Sequence, residues 1–557
     1  MTDAPAAAQG TDDAAVRTVS MSPFDDQRPG TSGLRKTTER FRTPHYLAAF
    51  VQAIFDVRPI DGPVVLGGDG RFFGAEAAQT IIRLAAANGA KRIVVGRNAL
   101  LSTPAASHLV RARNAWGALV LSASHNPGGA DGDFGVKFNG PNGAPAPEAV
   151  SEAVFARSRQ LTAYRLAGLP AADLSSVGER SLGNTVLEVV DPAAAYADLM
   201  ERLFDFDRIS ALLRKPGFRM VFDAMHAVTG PYAREIFERR LAATGVVLRG
   251  DPLPDFGGGH PDPTPAHAAE LSALMFGAGP PRFGAASDGD GDRHLIMGPN
   301  FTVNPSDSLA IILANAELIP GYSGRVTGVA RSMPTSRAVD EVAARLGLPC
   351  FETPTGWKYF GSLLDAGRIT FCGEESAGAG SDHVREKDGL WAVLYWLNIM
   401  AARGQGVVQV VHEHWARFGR HAAQRLDFEG LPAEPAAVLI ERLRSKLDTL
   451  PGTTLAGRLV EACDDFAYVD PIDGSETARQ GVRLVLAGSG RVVFRLSGTG
   501  TSGATLRVYL DQYVAATDLQ GLPAETLTLP LEQAARAALA LVEADRLLGP
   551  LAPNHRT

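Results

Sequence analysis

The chain has 557 residues, more than one compact core accommodates and enough for about three to five domains. Hydrophobic residues make up 45% and charged residues 21%, as in a soluble globular protein, and 54 Lys+Arg against 61 Asp+Glu give a net charge of −7. That balance excludes a general nucleic-acid or anionic-membrane binder, and Cys350, Cys372 and Cys463 have neither a disulfide framework nor metal-ligand spacing, which points to a reducing, cytoplasmic setting.

Residues 1–20 are rich in Ala, Asp and Thr and are expected to be disordered, without the basic start and apolar run of a signal peptide. From there the chain repeats itself. Pro63–Gly67, Met220–Asp223 and Arg325–Val329 each read as a strand followed by a helix, and Gly89, Gly245 and Gly347 stand at the left-handed helix ends. Each unit continues through an extended segment to a Thr-Pro pair, Thr103-Pro104, Thr264-Pro265 and Thr353-Pro354, read as a helix start. A short apolar strand follows: Gly117–Leu121, Phe283–Ala286 and Ile369–Cys372.

A polar stretch comes directly after each of those strands: Ser122–Pro127 (SASHNP), Ser287–Arg293 (SDGDGDR) and Gly373–Ser376 (GEES). From each threonine to Ser124, Asp288 and Glu374 the separations are 21, 24 and 21 residues, near-equal as divergent copies of one α/β unit require. Alternating strands and helices imply mostly parallel, helix-covered sheets with ligands beyond the strands' carboxyl ends. The expected architecture is three similar α/β sandwich domains with mixed, mostly parallel sheets, their polar loops facing one cleft. The longest apolar stretch, Leu390–Ala402, contains Asn398 and falls short of the about 20 residues that span a bilayer. Beyond residue 420, segments 483–496 and 504–510 read as two strands around a glycine loop, and Leu531–Leu548 as a helix, giving a smaller C-terminal α+β domain. The expected domains are 21–207, 208–318, 319–420 and 421–557.

Asp288, Asp290 and Asp292 alternate with glycines, so an extended backbone places three carboxylates on one side. Such a trio repels itself unless a cation sits within it, and oxygen-only ligation suits Mg²⁺ or Ca²⁺ over zinc. An EF-hand is excluded because Arg293 and Pro299 stand where its glycine and bidentate glutamate belong. Mg²⁺, its shell completed by a phosphate oxygen, is the expectation. Ser124, on a loop shaped by Asn126-Pro127-Gly128-Gly129, allows two readings. A Ser-His-Asp hydrolase with His125 lacks the Gly-x-Ser-x-Gly turn. Beside a Mg²⁺ loop, the serine reads instead as a phosphoryl acceptor and donor.

Gly498–Gly503 fits Gly-x-Gly-x-x-Gly, but a strand-like segment follows it where a dinucleotide site needs a helix. An anion nest remains, with Ser497, Thr499, Gly500, Thr501 and Arg507 for a phosphate. Glu374 and Ser376 suit sugar hydroxyls; Arg35, Lys137, Arg293, Arg385 and Lys387 bring positive charge to glycine-rich motifs. His260 reads as a turn-stabilising residue.

Ser122–Asn139 (SASHNPGGADGDFGVKFN), Asp288–Arg293 (DGDGDR), Thr353–Phe360 (TPTGWKYF), Gly373–Trp391 (GEESAGAGSDHVREKDGLW) and Arg495–Tyr509 (RLSGTGTSGATLRVY) resemble the α-D-phosphohexomutases, and within them the phosphoglucomutase family. The resemblance runs from about Phe24 to the C-terminus and implies four domains around a central cleft. It implies a phosphoserine at Ser124 and metal ligation by Ser124, Asp288, Asp290 and Asp292, with one Mg²⁺ per chain. It also implies substrate contacts from Arg35, Asp292, Arg293, Thr355, Gly356, Trp357, Glu374, Ser376 and Lys387. It implies catalytic roles for Lys137, Lys387 and Arg35, the two lysines as general acid/base candidates, and a site for the phosphate that is not reacting at Ser497, Thr499, Gly500, Thr501 and Arg507. The implied reaction interconverts glucose 1-phosphate and glucose 6-phosphate through glucose 1,6-bisphosphate, which serves as activator and intermediate. Ala377 stands where close relatives carry an aromatic, leaving room for mannose or glucosamine phosphates. The expected partners are hexose phosphates alone, with neither nucleic acid nor membrane, and the expected assembly is a monomer or weak homodimer.

Overall fold

The computed structural model describes residues 15–30, 32–497, 503–518 and 523–557. It comprises two compact units: the residues up to Ala123 together with Gly128–Pro192, and Ser124–Pro127 together with Ala193–Thr557.

The first unit is built on a seven-stranded sheet in the order Leu34–Thr37, Asp133–Asn139, Gly117–Leu121, Val64–Gly68, Arg92–Leu100, Thr185–Val190 and Gly178–Leu182. Its four central strands are parallel and the outer pairings antiparallel. Val64–Gly68 and Gly117–Leu121 are buried along their whole length, as strands covered on both faces must be. The helices Tyr46–Val57 and Gly74–Ala87 contribute Phe50, Ile54, Ile81 and Leu84 to the core. Val16–Ser20 pairs antiparallel with Ala163–Ala167. This strand corrects the expectation of disorder through residue 20: neighbouring backbone supplies order that an alanine-rich composition does not reveal. Residues 1–14 lie outside the described ones.

The second unit contains two smaller sheets of the same plan. One runs Val247–Leu248, Met220–Asp223, Phe283–Ser287, His294–Gly298, Phe301–Thr302, and the other Cys350–Thr353, Val329–Ser332, Phe371–Glu374, Gly378–Ser381. In all three sheets the first strand of the repeat lies between the second and third, parallel to both, and the fourth returns antiparallel to the third. The connection from third strand to fourth carries a polar motif each time. Each of these connections contains a residue in the left-handed region, Ser124 (φ 56°), Gly291 (φ 80°) and Ala377 (φ 68°), a conformation that turns the chain sharply and strains any residue but glycine.

The repeat is less regular than its motifs suggest. Only Thr103-Pro104 begins a helix, Thr103–Ala112, capped by Ser102. After Thr264-Pro265 the helix starts at Ala269, and after Thr353-Pro354 at Lys358. The strand expected at Arg325–Val329 begins only at Val329.

The C-terminal sheet is antiparallel, in the order Thr454–Leu455, Arg458–Asp465, Val482–Leu486, Gly490–Ser497, Ala504–Val514, Arg420–Leu431, His555–Arg556. The segment 483–496 is a hairpin and not one strand, because Gly488 (φ 80°) and Ser489 (φ 62°) are both left-handed and reverse the chain. The closing helix runs Ala524–Leu541 and restarts at Ala544–Leu548.

Leu390–Ala402 lies within the helix Gly389–Arg403, buried from Gly389 to Met400. Trp391, Tyr395, Trp396 and Leu397 are fully enclosed, each stabilising the fold by about 2 kcal/mol or more. Among the described residues no helix is long and apolar enough to cross a membrane. Asp388 caps the helix by accepting the Trp391 N–H at 3.1 Å and also accepts the Tyr196 hydroxyl at 2.5 Å. Its other oxygen lies 3.0 Å from His383 Nε2, whose Nδ1 is 2.6 Å from Ser381 Oγ. Tyr322 closes the ring, 2.6 Å from Ser381 Oγ and accepting the Trp391 indole N–H at 2.7 Å. This polar ring, sealed in a low-dielectric interior, fixes the residues around it.

Candidate active site

The loop between Phe283–Ser287 and His294–Gly298 is not extended, as the Asp-Gly alternation suggested, but coiled around its own first carboxylate. Asp288 Oδ1 accepts the backbone N–H groups of Asp292 at 2.9 Å and Arg293 at 3.1 Å. That curl brings one carboxylate oxygen each from Asp288, Asp290 and Asp292 within 4.8 Å of one another, with all three residues buried. The remaining Asp288 oxygen, Oδ2, accepts the Ser124 hydroxyl at 3.2 Å. Ser124 is 1% exposed, and its hydroxyl lies 3.5 Å from His125 Nδ1. Gly289 makes the approach possible: a Cβ there would stand 2.4 Å from the Ser124 carbonyl oxygen.

Two cations face the trio. Arg293 Nε is 3.8 Å from Asp288 and 3.9 Å from Asp292, while its Nη1 is 3.5 Å from Asp262. Lys387 Nζ is 3.2 Å from Asp292 Oδ2, and its aliphatic stem lies against Gly378, where a Cβ would meet it at 2.3 Å. They do not balance the site. Burial, then Asp292 and Asp290, push the Asp288 carboxyl well above the usual carboxylate range. A buried all-oxygen donor set with excess negative charge beside a hydroxyl fits a hard divalent cation.

Glu374, 6% exposed, accepts the Gly356 N–H at 2.9 Å, and burial raises its pKa while Lys387 opposes the rise. Thr355 Oγ1 is buried with no hydrogen-bond partner among the described residues, leaving it available to a ligand. Ser376 is half-buried. Trp357 is 4% exposed and packs with Ala330, Phe360 and Leu363, while its indole Nε1 is buried with no hydrogen-bond partner among the described residues. Arg385 is a brace, donating to Asp365 at 2.6 Å and to the Asp382 carbonyl at 2.8 Å.

Arg35 and Lys137 belong to the first unit. Arg35 lies half-buried on Leu34–Thr37; Lys137, 5% exposed on Asp133–Asn139, donates to Thr103 Oγ1 at 3.3 Å. Ser497 and Arg507 lie on the paired strands Gly490–Ser497 and Ala504–Val514, with Arg507 Nε 3.6 Å from Asp427 Oδ1. Thr499, Gly500 and Thr501 lie outside the described residues. Sequence reasoning missed Asp262, the anchor of Arg293; its one signal was an aspartate between prolines in Pro261-Asp262-Pro263. It also missed Thr335, which accepts the Glu375 N–H at 2.9 Å and orients that loop.

Four family models match the chain: phosphoglucomutase/phosphomannomutase α/β/α domain I over residues 26–165, domain II over 194–300, domain III over 305–418, and the phosphoglucomutase-1 C-terminal domain over 420–554. The phosphoglucomutase of Rhizobium radiobacter is 52% identical, covering 89% of this chain and 92% of its own. The chain belongs to the phosphoglucomutase family. A cytoplasmic phosphoglucomutase of Zea mays is 45% identical over 96% of this chain and 98% of its own. The crystal structure of parafusin, a phosphoglucomutase from Paramecium, superposes with a TM-score of 0.88 at 40% identity, covering 98% of this chain and 99% of that one. The phosphoglucomutase family accounts for three α/β domains and a distinct fourth, and makes the chain an isomerase that moves phosphoryl groups.

Proposed function

We propose that this chain interconverts α-D-glucose 1-phosphate and D-glucose 6-phosphate through a phosphoserine at Ser124 and a glucose 1,6-bisphosphate intermediate. The observation that carries the reading is the Ser124 hydroxyl at 3.2 Å from Asp288, within a buried carboxylate trio. Ser124, Asp288, Asp290 and Asp292 would hold the metal, which we assign as Mg²⁺. When bound, the ion supplies positive charge against phosphoryl oxygens as their bonds to the serine and sugar change.

The chain's own groups do the rest. The phosphoryl group on Ser124 passes to the free hydroxyl of a hexose monophosphate, and the bisphosphate turns end for end. Its other phosphoryl group then returns to Ser124, so phosphate is conserved over the cycle. Lys387 is the first candidate to take the sugar hydroxyl's proton, because it is buried beside Asp292, and Lys137 is the second. Arg293 and Arg35 stabilise phosphoryl charge. Glu374, Thr355 and Ser376 meet sugar hydroxyls, with Gly356 offering backbone. Ser497, Thr499, Gly500, Thr501 and Arg507 grip the phosphate at rest. The four domains are assigned to 21–207, 208–318, 319–420 and 421–557, and the reaction to the cytoplasm. A broader sugar range is the second reading, favoured by the small Ala377 side chain next to Ser376.

The test is intact-mass spectrometry of the purified chain. One phosphoryl mass is expected on the protein, absent from Ser124→Ala, which should lack all turnover in a coupled glucose 6-phosphate assay. Full activity in that variant would overturn the assignment. Comparing kcat/KM for glucose, mannose and glucosamine 1-phosphates separates the two sugar readings.

A further inference from the structure

His260, Asp262 and His267 each present one donor atom within 4.8 Å of the others, outside the carboxylate trio. The two imidazole Nδ1 atoms are 3.2 Å apart, and Asp262 Oδ2 is 3.9 Å from His267 Nδ1. A tetrahedral zinc ion with bonds of about 2.0–2.1 Å holds two nitrogen ligands about 3.3–3.4 Å from each other, so the imidazoles already stand at ligating separation. Measured from His267, the carboxylate oxygen stands about half an ångström beyond that separation.

The segment is fixed by its own backbone. Asp262 N–H donates to the His260 carbonyl at 2.9 Å, Thr264 N–H to Asp262 at 2.7 Å, and Ala268 N–H to Thr264 at 2.8 Å. All three side chains are half-buried, which leaves an ion a way in. Thr264 Oγ1, 3.1 Å from His267 Nδ1, would have to rotate aside.

We propose that His260, Asp262 and His267 form a second metal site, selective for a borderline-soft divalent cation of the zinc class, with a fourth position for water. Two imidazoles and a carboxylate suit zinc, whereas the oxygen-only trio suits magnesium, so the two sites sort ions by ligand chemistry. The site is wired to the aspartate and serine loops in three ways. Asp262 would offer Oδ2 to the ion while its Oδ1 lies 3.5 Å from Arg293. The Pro261 carbonyl accepts the Gly289 N–H at 3.0 Å, and the His125 ring stands edge-on to His260 at 6.2 Å. Zinc bound here would draw on the carboxylate that anchors Arg293.

The full chain, equilibrated with zinc in a large excess of Mg²⁺ and gel-filtered, should retain one zinc per chain by elemental analysis. His267→Gln and, independently, His260→Gln should lose it with little change in melting temperature, and Asp290→Asn should keep it. Cobalt substituted under the same conditions should show the strong visible bands of four-coordinate nitrogen–oxygen ligation in the parent. A parent that retains no zinc, zinc lost with Asp290→Asn but kept in both histidine variants, or only the weak bands of six-coordinate cobalt would each overturn the proposal.

Discussion

The Ser124 carbonyl oxygen and the Gly289 α-carbon are in such close contact that a methyl group on the glycine would stand 2.4 Å from that oxygen. Gly289 has no left-handed requirement, so the constraint is purely steric. Gly289→Ala should leave the melting temperature within a few degrees and displace the Ser124 loop. A misplacement of about 1 Å costs about a hundredfold in rate, so kcat should fall by about that factor. Steady-state kinetics alongside circular dichroism checks both halves of the expectation.

Metal removal should abolish turnover without unfolding the chain, since Arg293 and Lys387 offset only part of the charge of three buried carboxylates. Dialysis against EDTA should bring activity to background, and added Mg²⁺ should restore it. Asp290→Asn should raise the Mg²⁺ concentration for half-maximal rate at least about tenfold, the equivalent of one lost charged contact.

Arg507→Ala should raise KM for glucose 1-phosphate by about 10- to 100-fold, the loss of one charge-assisted hydrogen bond, and lower kcat less. Its guanidinium is only loosely held by Asp427 at 3.6 Å and is a third exposed, so removing it disturbs little else. An unchanged KM would count against the phosphate nest.

His414 should make the fold acid-sensitive. On the helix Val407–Phe418, it is buried against Phe418, and burial with Arg403 and Arg417 nearby lowers its pKa from 6.5 to about 3. Between those values the unfolded chain binds a proton that the folded chain refuses. The stability is therefore fully present above about pH 6.5 and lost as pH falls toward 3, about 2 kcal/mol of it by pH 5. Asp307, raised to about 6 by burial, acts with the opposite sign: its contribution falls as pH rises from 3.8 to 6. The variant His414→Leu isolates the histidine, and its melting temperature should drop less than the parent's between pH 7.5 and pH 5.

Where the sequence was legible, the reason is that local chemistry repeats. Three polar stretches after three apolar strands can be read without coordinates, and their sheets share one strand order. Other features depend on distant partners. Val16–Ser20 is a strand only because Ala163–Ala167 lies beside it. The packing of Trp357 against Ala330 and Leu363 is likewise invisible in its motif. The coil of the aspartate loop is set by hydrogen bonds to Asp288 that alternating glycines do not announce. Asp262 gains its meaning from Arg293, 31 positions further along.

The sealed ring of Tyr196, Asp388, His383, Ser381 and Tyr322 assembles a serine, a histidine and an aspartate in line, yet Ser381 is wholly inaccessible. A reagent that labels hydrolase serines should pass it by. Its influence reaches chemistry through covalent connectivity, because the aspartate at its centre directly follows Lys387 in the chain. A substitution at Tyr196 is therefore passed to Lys387 through Asp388.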